Sequence, residues 1–437
     1  MYKVSFITFG CKVNHYETEC LKELFRERGW LTACDDEAPD AVVINSCTVT
    51  ASGDSRVLAA LRKARESHSG AVIVLTGCYP QADREGASKL EAADIVCGTK
   101  DRKLIPELVE RFISERQRTV WLPEHEKGEK FEPMECTRFE DNTRAFVKIQ
   151  DGCDRFCSYC IIPYARGRCR SKPLEQLRSE VEKIAESGVR EIVLSGINLA
   201  FYGAEWGMSL ADAAETVAGI QGIERVRLGS LEPEMMTDEQ LGRLAALPEL
   251  CPQFHLSLQS GCTRTLKAMN RHYTADEYYE LTERIRSYFP DCAFTTDIMV
   301  GFPQETEEDF RESVEFVRKV GFSKVHVFRY SRRHGTPADR MAGQIQEAVK
   351  TARWKEMTAA ADEMREKYLK TLIGRTVPVL FERENDPGFH QGHAPDMTLI
   401  KISRKNTEKS LRNQIIRVII EEYGQDCCFG VPECLSY

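Results

Sequence analysis

Short apolar runs alternate with amphipathic segments along the first part of the chain. The apolar runs predict strands at residues 4–9, 41–44, 72–76 and 94–96, and the segments between them predict helices at 15–28, 54–66 and 81–90. Strands that alternate with helices indicate a parallel sheet in an α/β fold. We therefore predict a small flavodoxin-like domain over residues 1–122.

A second strand–helix series follows a polar, acidic stretch at 123–141, which we interpret as a linker. The series predicts an open, partial (β/α)6 barrel over 142–372, with its chemistry at the carboxyl ends of the strands. Its last helix is predicted to be long, at 338–372. Strands are predicted at 145–149, 191–194, 225–228, 254–258, 293–298 and 324–328. Beyond residue 373 the pattern changes to short β-like runs at 377–381, 397–402 and 415–420, separated by Gly, Pro and Asn, so residues 373–437 are predicted to form a small β domain.

Three predicted strands of the first domain each end in a cysteine, at Cys11, Cys47 and Cys78. Because the carboxyl ends of parallel strands meet at one edge of a sheet, these thiols are expected to lie together. The chain has 17 cysteines in 437 residues and no export-like segment at its start, which favours metal or redox chemistry over a disulfide framework. The alternative is that the three are buried apolar cysteines.

Composition narrows the class of protein further. Hydrophobic residues make up 42% and charged residues 29%, and no window approaches the roughly 18 consecutive apolar residues of a membrane span. We expect a cytoplasmic protein with no membrane partner. The net charge of −8 means that a nucleic-acid partner would be bound by local basic patches and not by the surface as a whole.

A second group of thiols, Cys153, Cys157 and Cys160, follows the first predicted barrel strand with the spacing CX3CX2C. Three thiolates in one short loop can hold three corners of a four-iron cluster and leave the fourth iron open. A zinc site with Cys169 as the fourth ligand remains an alternative.

This loop resembles that of the radical S-adenosylmethionine (SAM) superfamily, and the two cysteine triplets together resemble the methylthiotransferase family. The resemblance implies two [4Fe-4S] clusters, one that binds and cleaves SAM on the catalytic cysteines Cys153, Cys157 and Cys160, and a sulfur-handling one on Cys11, Cys47 and Cys78. It implies a reducing electron-donor protein and a C-terminal TRAM domain. It places Tyr159 near the adenine. Other strand ends fit SAM contacts, although a polar strand cap is the alternative for each: Gly196, Asn198, Ser230, Gln259, Asp297 and Val300.

The segment FGCKVNHYETE, with Lys12 and Asn14 after Cys11, is most similar to the branch that methylthiolates N6-threonylcarbamoyladenosine at tRNA position 37. Isopentenyladenosine in tRNA and a ribosomal-protein aspartate are alternative substrates of the family. A non-catalytic iron–sulfur protein that binds RNA is a further alternative.

Two basic runs are candidates for tRNA phosphate contacts. Residues 401–417 contain six Lys or Arg against one Glu, and an Arg-rich run follows the CX3CX2C loop. A solvated surface is the alternative interpretation of both runs. The predicted contacts are Arg166, Arg168, Arg170, Lys401, Arg404, Lys405 and Lys409.

Overall fold

The computed structural model describes residues 1–34, 37–48, 50–137, 139, 143–382, 386–405 and 409–433. Within them, the first sheet has six parallel strands in the order β2-β1-β3-β4-β5-β6, which extends the flavodoxin order. The strands are β1 (Lys3–Thr8), β2 (Leu31–Thr32), β3 (Ala41–Ser46), β4 (Val72–Gly77), β5 (Ile95–Cys97) and β6 (Thr119–Trp121). The helices are α1 (Lys12–Glu27), α2 (Ala51–Ser67), α3 (Cys78–Ala82), α4 (Arg84–Ser88) and α5 (Ile105–Glu115). The predicted α/β domain is confirmed.

The middle of the chain forms the predicted partial barrel from two parallel sheets, β11-β10-β7 and β12-β13-β14-β15. No described residue pairs β7 with β15, so the barrel is open on that side. The strands are β7 (Arg144–Lys148), β8 (Gln150–Asp151), β9 (Arg170–Ser171), β10 (Glu191–Ser195), β11 (Arg225–Leu228), β12 (Ser230–Leu231), β13 (Gln253–Leu256), β14 (Ala293–Val300) and β15 (Lys324–Arg329). The helices are α6 (Ile162–Arg166), α7 (Leu174–Glu186), α8 (Leu210–Ala218), α9 (Asp238–Ala245), α10 (Thr263–Ala268), α11 (Ala275–Tyr288), α12 (Glu307–Val320) and α13 (Glu347–Leu372).

The C-terminal β domain is a closed barrel with the strand order β16-β17-β18-β20-β19 among the described residues. The strands are β16 (Thr376–Phe381), β17 (Phe389–His393), β18 (Leu399–Ser403), β19 (Ile415–Tyr423) and β20 (Cys427–Pro432). The sequence pattern missed β17 and β20. Each contains a glycine that packs against a neighbouring backbone: a Cβ at Gly392 would lie 2.3 Å from the carbonyl oxygen of Leu380. Such glycines weaken the strand signal in the sequence.

Two predicted helices differ from the observed ones. The helix predicted at 81–90 is divided into α3 and α4 at Asp83, whose carboxylate accepts a hydrogen bond from the Gly86 amide at 3.0 Å and caps α4. The long helix predicted from 338 begins at Glu347, because Gly343 adopts a left-handed conformation (φ +72°). No helix in the described part of the chain is long and apolar enough to cross a membrane.

The first domain has hydrophobic clusters of its own and also contributes to the core of the partial barrel. Tyr16 and Cys20 of α1 are buried in the same cluster as Leu177 and Val181 of α7. The stretch interpreted as a linker also joins this core, through Met134 and several neighbours. The sheet that carries the first cysteine triplet is therefore packed against the barrel that carries the second.

Candidate metal centres and the cleft between them

The three N-terminal cysteines lie where three neighbouring strands end. Cys11 immediately precedes α1, Cys47 follows β3, and Cys78 begins α3 directly after β4. Gly10 (φ +119°) and Gly77 (φ +101°) make the turns, and a Cβ at Gly10 would lie 2.7 Å from the Cβ of Cys47. Only glycine fits in turns this close to the thiols.

Asn14 fixes Cys11 relative to the next strand. The Cys11 thiol donates to Asn14 Oδ1 at 3.3 Å, and Asn14 Nδ2 donates to the Ser46 carbonyl at 3.2 Å. In return, Asn45 Nδ2 donates to the Asn14 carbonyl at 2.9 Å. These bonds attach the start of α1 to the end of β3, which leads into Cys47.

The chemistry of these thiols fits a metal centre. Burial raises the pKa of the Cys78 thiol to about 12; Arg166 acts in the opposite direction, and Cys47 and Cys11 add to the rise. Thiols that oppose one another's ionisation become thiolates together when they bind a metal cation. Three soft thiolate ligands suit an iron–sulfur cluster.

The barrel cysteines lie in a tight loop between β8 and α6. β8 pairs with β9 on the far side of the loop, and a Cβ at Gly152 (φ +72°) would lie 1.9 Å from the Arg168 carbonyl oxygen. Within the loop, the Cys160 amide donates to the Cys157 carbonyl at 2.9 Å. The β8–β9 pair and this inner turn hold the loop in a compact shape.

Nitrogen donors surround the barrel thiols. Asn198 Nδ2 donates to the sulfur of Cys153 at 3.6 Å, and Arg271 Nη1 donates to the sulfur of Cys157 at 3.4 Å. Burial raises the pKa of Cys153 to about 11 and that of Cys160 to about 12. Donors directed at sulfur stabilise bound thiolates, so this set also fits a cluster.

Cys169 lies close to this loop, and its thiol donates to the Gly152 carbonyl at 3.7 Å. Burial is the main cause of its raised pKa, and the nearby Cys153 adds to it. Cys169 therefore lies near Cys153, and the geometry alone is compatible with either zinc or iron.

Three of the predicted SAM contacts share one cavity of about 210 Å³ beside Cys160: Tyr159, Gln259 and Asp297. Gln259 is left-handed (φ +72°), which is rare for a residue other than glycine, and its amide donates to the Asp297 carbonyl at 2.8 Å. A backbone conformation of this kind often marks a functional site.

A second cavity, of about 490 Å³, lies between the two domains; we call it the interdomain cleft. Cys11 and Lys12 line it from the first domain, and Gly196 and Ser230 line it from the barrel. Asn198, in the same loop as Gly196, donates to the Cys153 sulfur. The loop at 196–198 therefore lies between the two cysteine triplets.

Lys12 provides a positive charge in the interdomain cleft. Among the described residues, none forms a hydrogen bond or ion pair with its ammonium group. Lys12 is exposed, and partial desolvation beside the cleft lowers its pKa, which nearby Arg227 and Arg144 lower further. This corner of the cleft suits an anionic group.

Val300 lies less openly than the other predicted SAM contacts. Its side chain is buried in the barrel core, and its carbonyl accepts the Tyr330 amide at 2.9 Å. Its contact with SAM stays a prediction.

The RNA prediction for the run after the cysteine loop is corrected at two positions. Arg166 is fully buried and pairs with Glu17 and Asp151, and Arg170 is buried against Asp151. Phosphates cannot reach these side chains. Arg168 is exposed, with an ion pair to Asp154, and its RNA contact stays a prediction.

Lys401 lies on β18, Arg404 and Lys405 lie in the turn after it, and Lys409 lies further along the chain. Lys401 pairs with Asp386 at 3.2 Å, whereas Lys405 and Lys409 are exposed. Arg404 is partly buried. Residues 406–408 of the basic run, together with Cys434, lie outside the described residues. The contact of these side chains with tRNA remains a prediction.

No local pattern in the sequence indicated the roles of two arginines near the sites. Arg271, which donates to Cys157, is held by Glu232 through Nη1 at 3.2 Å. Arg333 pairs with Asp54 of α2 at 2.7 Å and so ties the barrel to the first domain. Their partners lie 39 and 279 residues away in the sequence.

Comparisons with known proteins agree with this architecture. A family model described as the radical SAM superfamily matches residues 147–317, and one described as uncharacterized protein family UPF0004 matches residues 3–98. The first match includes Cys153, Cys157 and Cys160, and favours an iron–sulfur cluster over zinc at that loop.

Relatives cover nearly the whole chain. Threonylcarbamoyladenosine tRNA methylthiotransferase MtaB of Bacillus subtilis is 34% identical over 97% of this chain and 95% of its own, and that of Thermotoga maritima is 39% identical over 87% of each. The tRNA-2-methylthio-N(6)-dimethylallyladenosine synthase of Maricaulis maris is 35% identical over 97% and 95%. Among solved structures, the radical SAM methyltransferase TsrM from Kitasatospora setae covers 78% of this chain and 77% of its own with a TM-score of 0.57 at 15% identity, a similarity of fold.

Proposed function

Because this chain belongs to the radical SAM methylthiotransferase family, we propose that it replaces the C2 hydrogen of N6-threonylcarbamoyladenosine at tRNA position 37 with a methylthio group. The observation that carries the proposal is the pair of cysteine triplets on either side of the loop at 196–198. One triplet would hold the SAM-cleaving cluster and the other the sulfur-handling cluster. The interdomain cleft, which this loop lines, would then lie between the two clusters.

The reaction requires radical chemistry. The C2–H bond of adenine is not acidic enough for a side-chain base to remove its proton at neutral pH. When bound, the barrel cluster supplies, from an electron-donor protein, the electron that cleaves one SAM molecule, and a second SAM supplies the methyl group.

The residues of this chain bind and orient the reactants. The Asp297 carboxylate and the side-chain amide of Gln259 would offer polar contacts to SAM in the cavity beside Cys160, and the Tyr159 ring forms part of its wall. Asn198 donates to the sulfur of Cys153 and Arg271 to the sulfur of Cys157, so both would orient cluster ligands. A cavity of this kind holds the reactants in place and limits side reactions of a reactive carbon radical.

Lys12 supports threonylcarbamoyladenosine over isopentenyladenosine. The threonyl group carries a carboxylate, whereas the isopentenyl group is apolar and uncharged. An ammonium group beside Cys11, without an ion pair among the described residues, matches the carboxylate and would remain unpaired with the isopentenyl group. The group that distinguishes the two substrates is therefore the one that we expect to meet Lys12 in the interdomain cleft.

The experiment is a comparison of tRNA nucleosides by mass spectrometry with and without the gene. We expect the methylthio form of threonylcarbamoyladenosine to disappear while its unthiolated precursor accumulates. Loss of the methylthio isopentenyl product, or of a modified ribosomal aspartate, would contradict the substrate assignment. Failure of the reduced, reconstituted protein to make 5′-deoxyadenosine from SAM would instead favour a non-catalytic iron–sulfur protein that binds RNA.

A further inference from the structure

Arg166 connects the two cysteine sites directly. It is the last residue of α6, which begins two residues after Cys160, and it is fully buried. Its Nε donates to the sulfur of Cys78 at 3.2 Å. The N-terminal site therefore has a hydrogen-bond donor that comes from the loop of the other site.

Carboxylates fix the orientation of this guanidinium. Nη1 donates to Glu17 Oε1 at 2.8 Å and to Asp151 Oδ1 at 3.2 Å, and Nη2 donates to Glu17 Oε2 at 3.1 Å. The bidentate pair with Glu17 holds the plane of the group, so Nε points at the sulfur. Each edge of the planar Arg166 guanidinium thus has a hydrogen-bond partner.

We propose that Arg166 is a positioning residue that places Cys78 for cluster binding and raises the reduction potential of the N-terminal cluster. The inference rests on the proposed function only in that Cys11, Cys47 and Cys78 hold a cluster. One-electron reduction adds a negative charge to the cluster and its sulfurs. A cationic donor on a ligating sulfur stabilises the reduced form more than the oxidised form.

Removal of Arg166 would also lower the reduction potential through the residues that pair with it. Glu17 and Asp151 would lose a counter-ion, and their negative charges would then face Cys78 without it. Both effects disfavour the reduced cluster, so the midpoint potential should become more negative.

The test is a dithionite titration followed by electron paramagnetic resonance. The full chain is used with Ala at Cys153, Cys157 and Cys160, so that only the N-terminal cluster contributes. For Arg166→Gln we expect an approximately tenfold lower ratio of reduced to oxidised cluster at a fixed potential, which corresponds to about 59 mV for a one-electron couple. Arg166→Lys, which keeps the charge, should lie between this variant and the parent.

Arg102→Gln is the matched control. Arg102 is equally buried and pairs with the same Glu17 at 2.5 Å and with Glu132 at 3.0 Å, but no described contact joins it to a cysteine. Its replacement also removes a counter-ion from Glu17 but breaks no contact with a sulfur, so it should shift the potential much less than Arg166→Gln does. An equal shift in the Arg102 and Arg166 variants, or no shift in Arg166→Gln, would overturn the inference alone. If the chain with Ala at Cys153, Cys157 and Cys160 and an intact Arg166 bound no iron, the proposed function would be overturned as well.

Discussion

Glu191 provides a quantitative test of how the C-terminal domain is attached to the barrel. Its carboxylate is fully buried and accepts a hydrogen bond from Arg227 Nε at 2.9 Å, with Arg225 at 3.5 Å and Arg144 at 3.6 Å. Arg225 also donates to the Pro378 carbonyl of the C-terminal domain at 2.8 Å. One carboxylate therefore holds three arginines, and at least one of them reaches into the next domain.

The pKa of Glu191 gives the size of the effect. Burial alone would raise it, but Arg227 and Arg144 outweigh burial and lower the pKa from 4.5 to about 2. At roughly 1.36 kcal/mol per pH unit, this difference corresponds to about 3 kcal/mol of stability. Because the folded-state pKa is the lower one, the contribution is complete above pH 4.5 and is lost as the pH falls toward 2.

Replacing Glu191 with Gln should lower the free energy of unfolding by about 3 kcal/mol at pH 7, within the range for breaking a buried ion pair. Urea denaturation of the metal-free chain, followed by tryptophan fluorescence, measures this loss. Glu382→Gln is the control, because Glu382 also pairs with Arg144 but its side chain is 26% exposed. This substitution should lower the free energy of unfolding by only about 1 kcal/mol. Equal losses in the two variants, or a Glu191 loss that does not shrink below pH 4.5, would refute the reasoning.

Three further predictions concern function. Cys157→Ala should abolish the formation of 5′-deoxyadenosine. A variant with Ala at Cys11, Cys47 and Cys78 should still form 5′-deoxyadenosine, retain about half of the iron and make no methylthiolated tRNA. If this triple variant bound the full amount of iron, the N-terminal cysteines would not hold a cluster. Lys12→Gln should lower kcat/KM for threonylcarbamoyladenosine tRNA about 10- to 100-fold relative to isopentenyladenosine tRNA, and an unchanged ratio would remove Lys12 from substrate selection. Neutralising four basic residues of the C-terminal domain should weaken tRNA binding and lower its salt slope by up to about four, with SAM cleavage intact, and an unchanged slope would indicate a solvated surface. The four are Lys401, Arg404, Lys405 and Lys409.

The sequence predicted the parts of the site that depend on local pattern. A cysteine directly after an apolar strand lies at the edge of a parallel sheet whatever the rest of the fold does, so the positions of Cys11, Cys47 and Cys78 could be inferred. Two-residue and three-residue edge strands such as β2 and β6 were missed because so few residues carry no periodicity.

The charge pattern misled where the ion pairs are long-range. The run at Arg166 and Arg170 resembles a basic surface because their acidic partners are distant in the sequence: Glu17 lies 149 residues before Arg166. A run of basic residues in the sequence shows the basic partner of each ion pair but not the acidic partner. Only the folded chain shows which arginines are compensated and which remain for a partner.

The long-range pairs also explain how one chain can hold two reactive sites in register. Compared with apolar residues of the same size, a buried ion pair adds little stability, because desolvation offsets most of the attraction. It nevertheless fixes geometry, because removing one partner leaves a buried charge. Arg166, Glu17 and Asp151 come from α6, α1 and β8, the elements next to the two cysteine sites. Rotation of the first sheet against the barrel would break all of these contacts together. These contacts therefore oppose a change in the width of the interdomain cleft between Cys11 and Gly196.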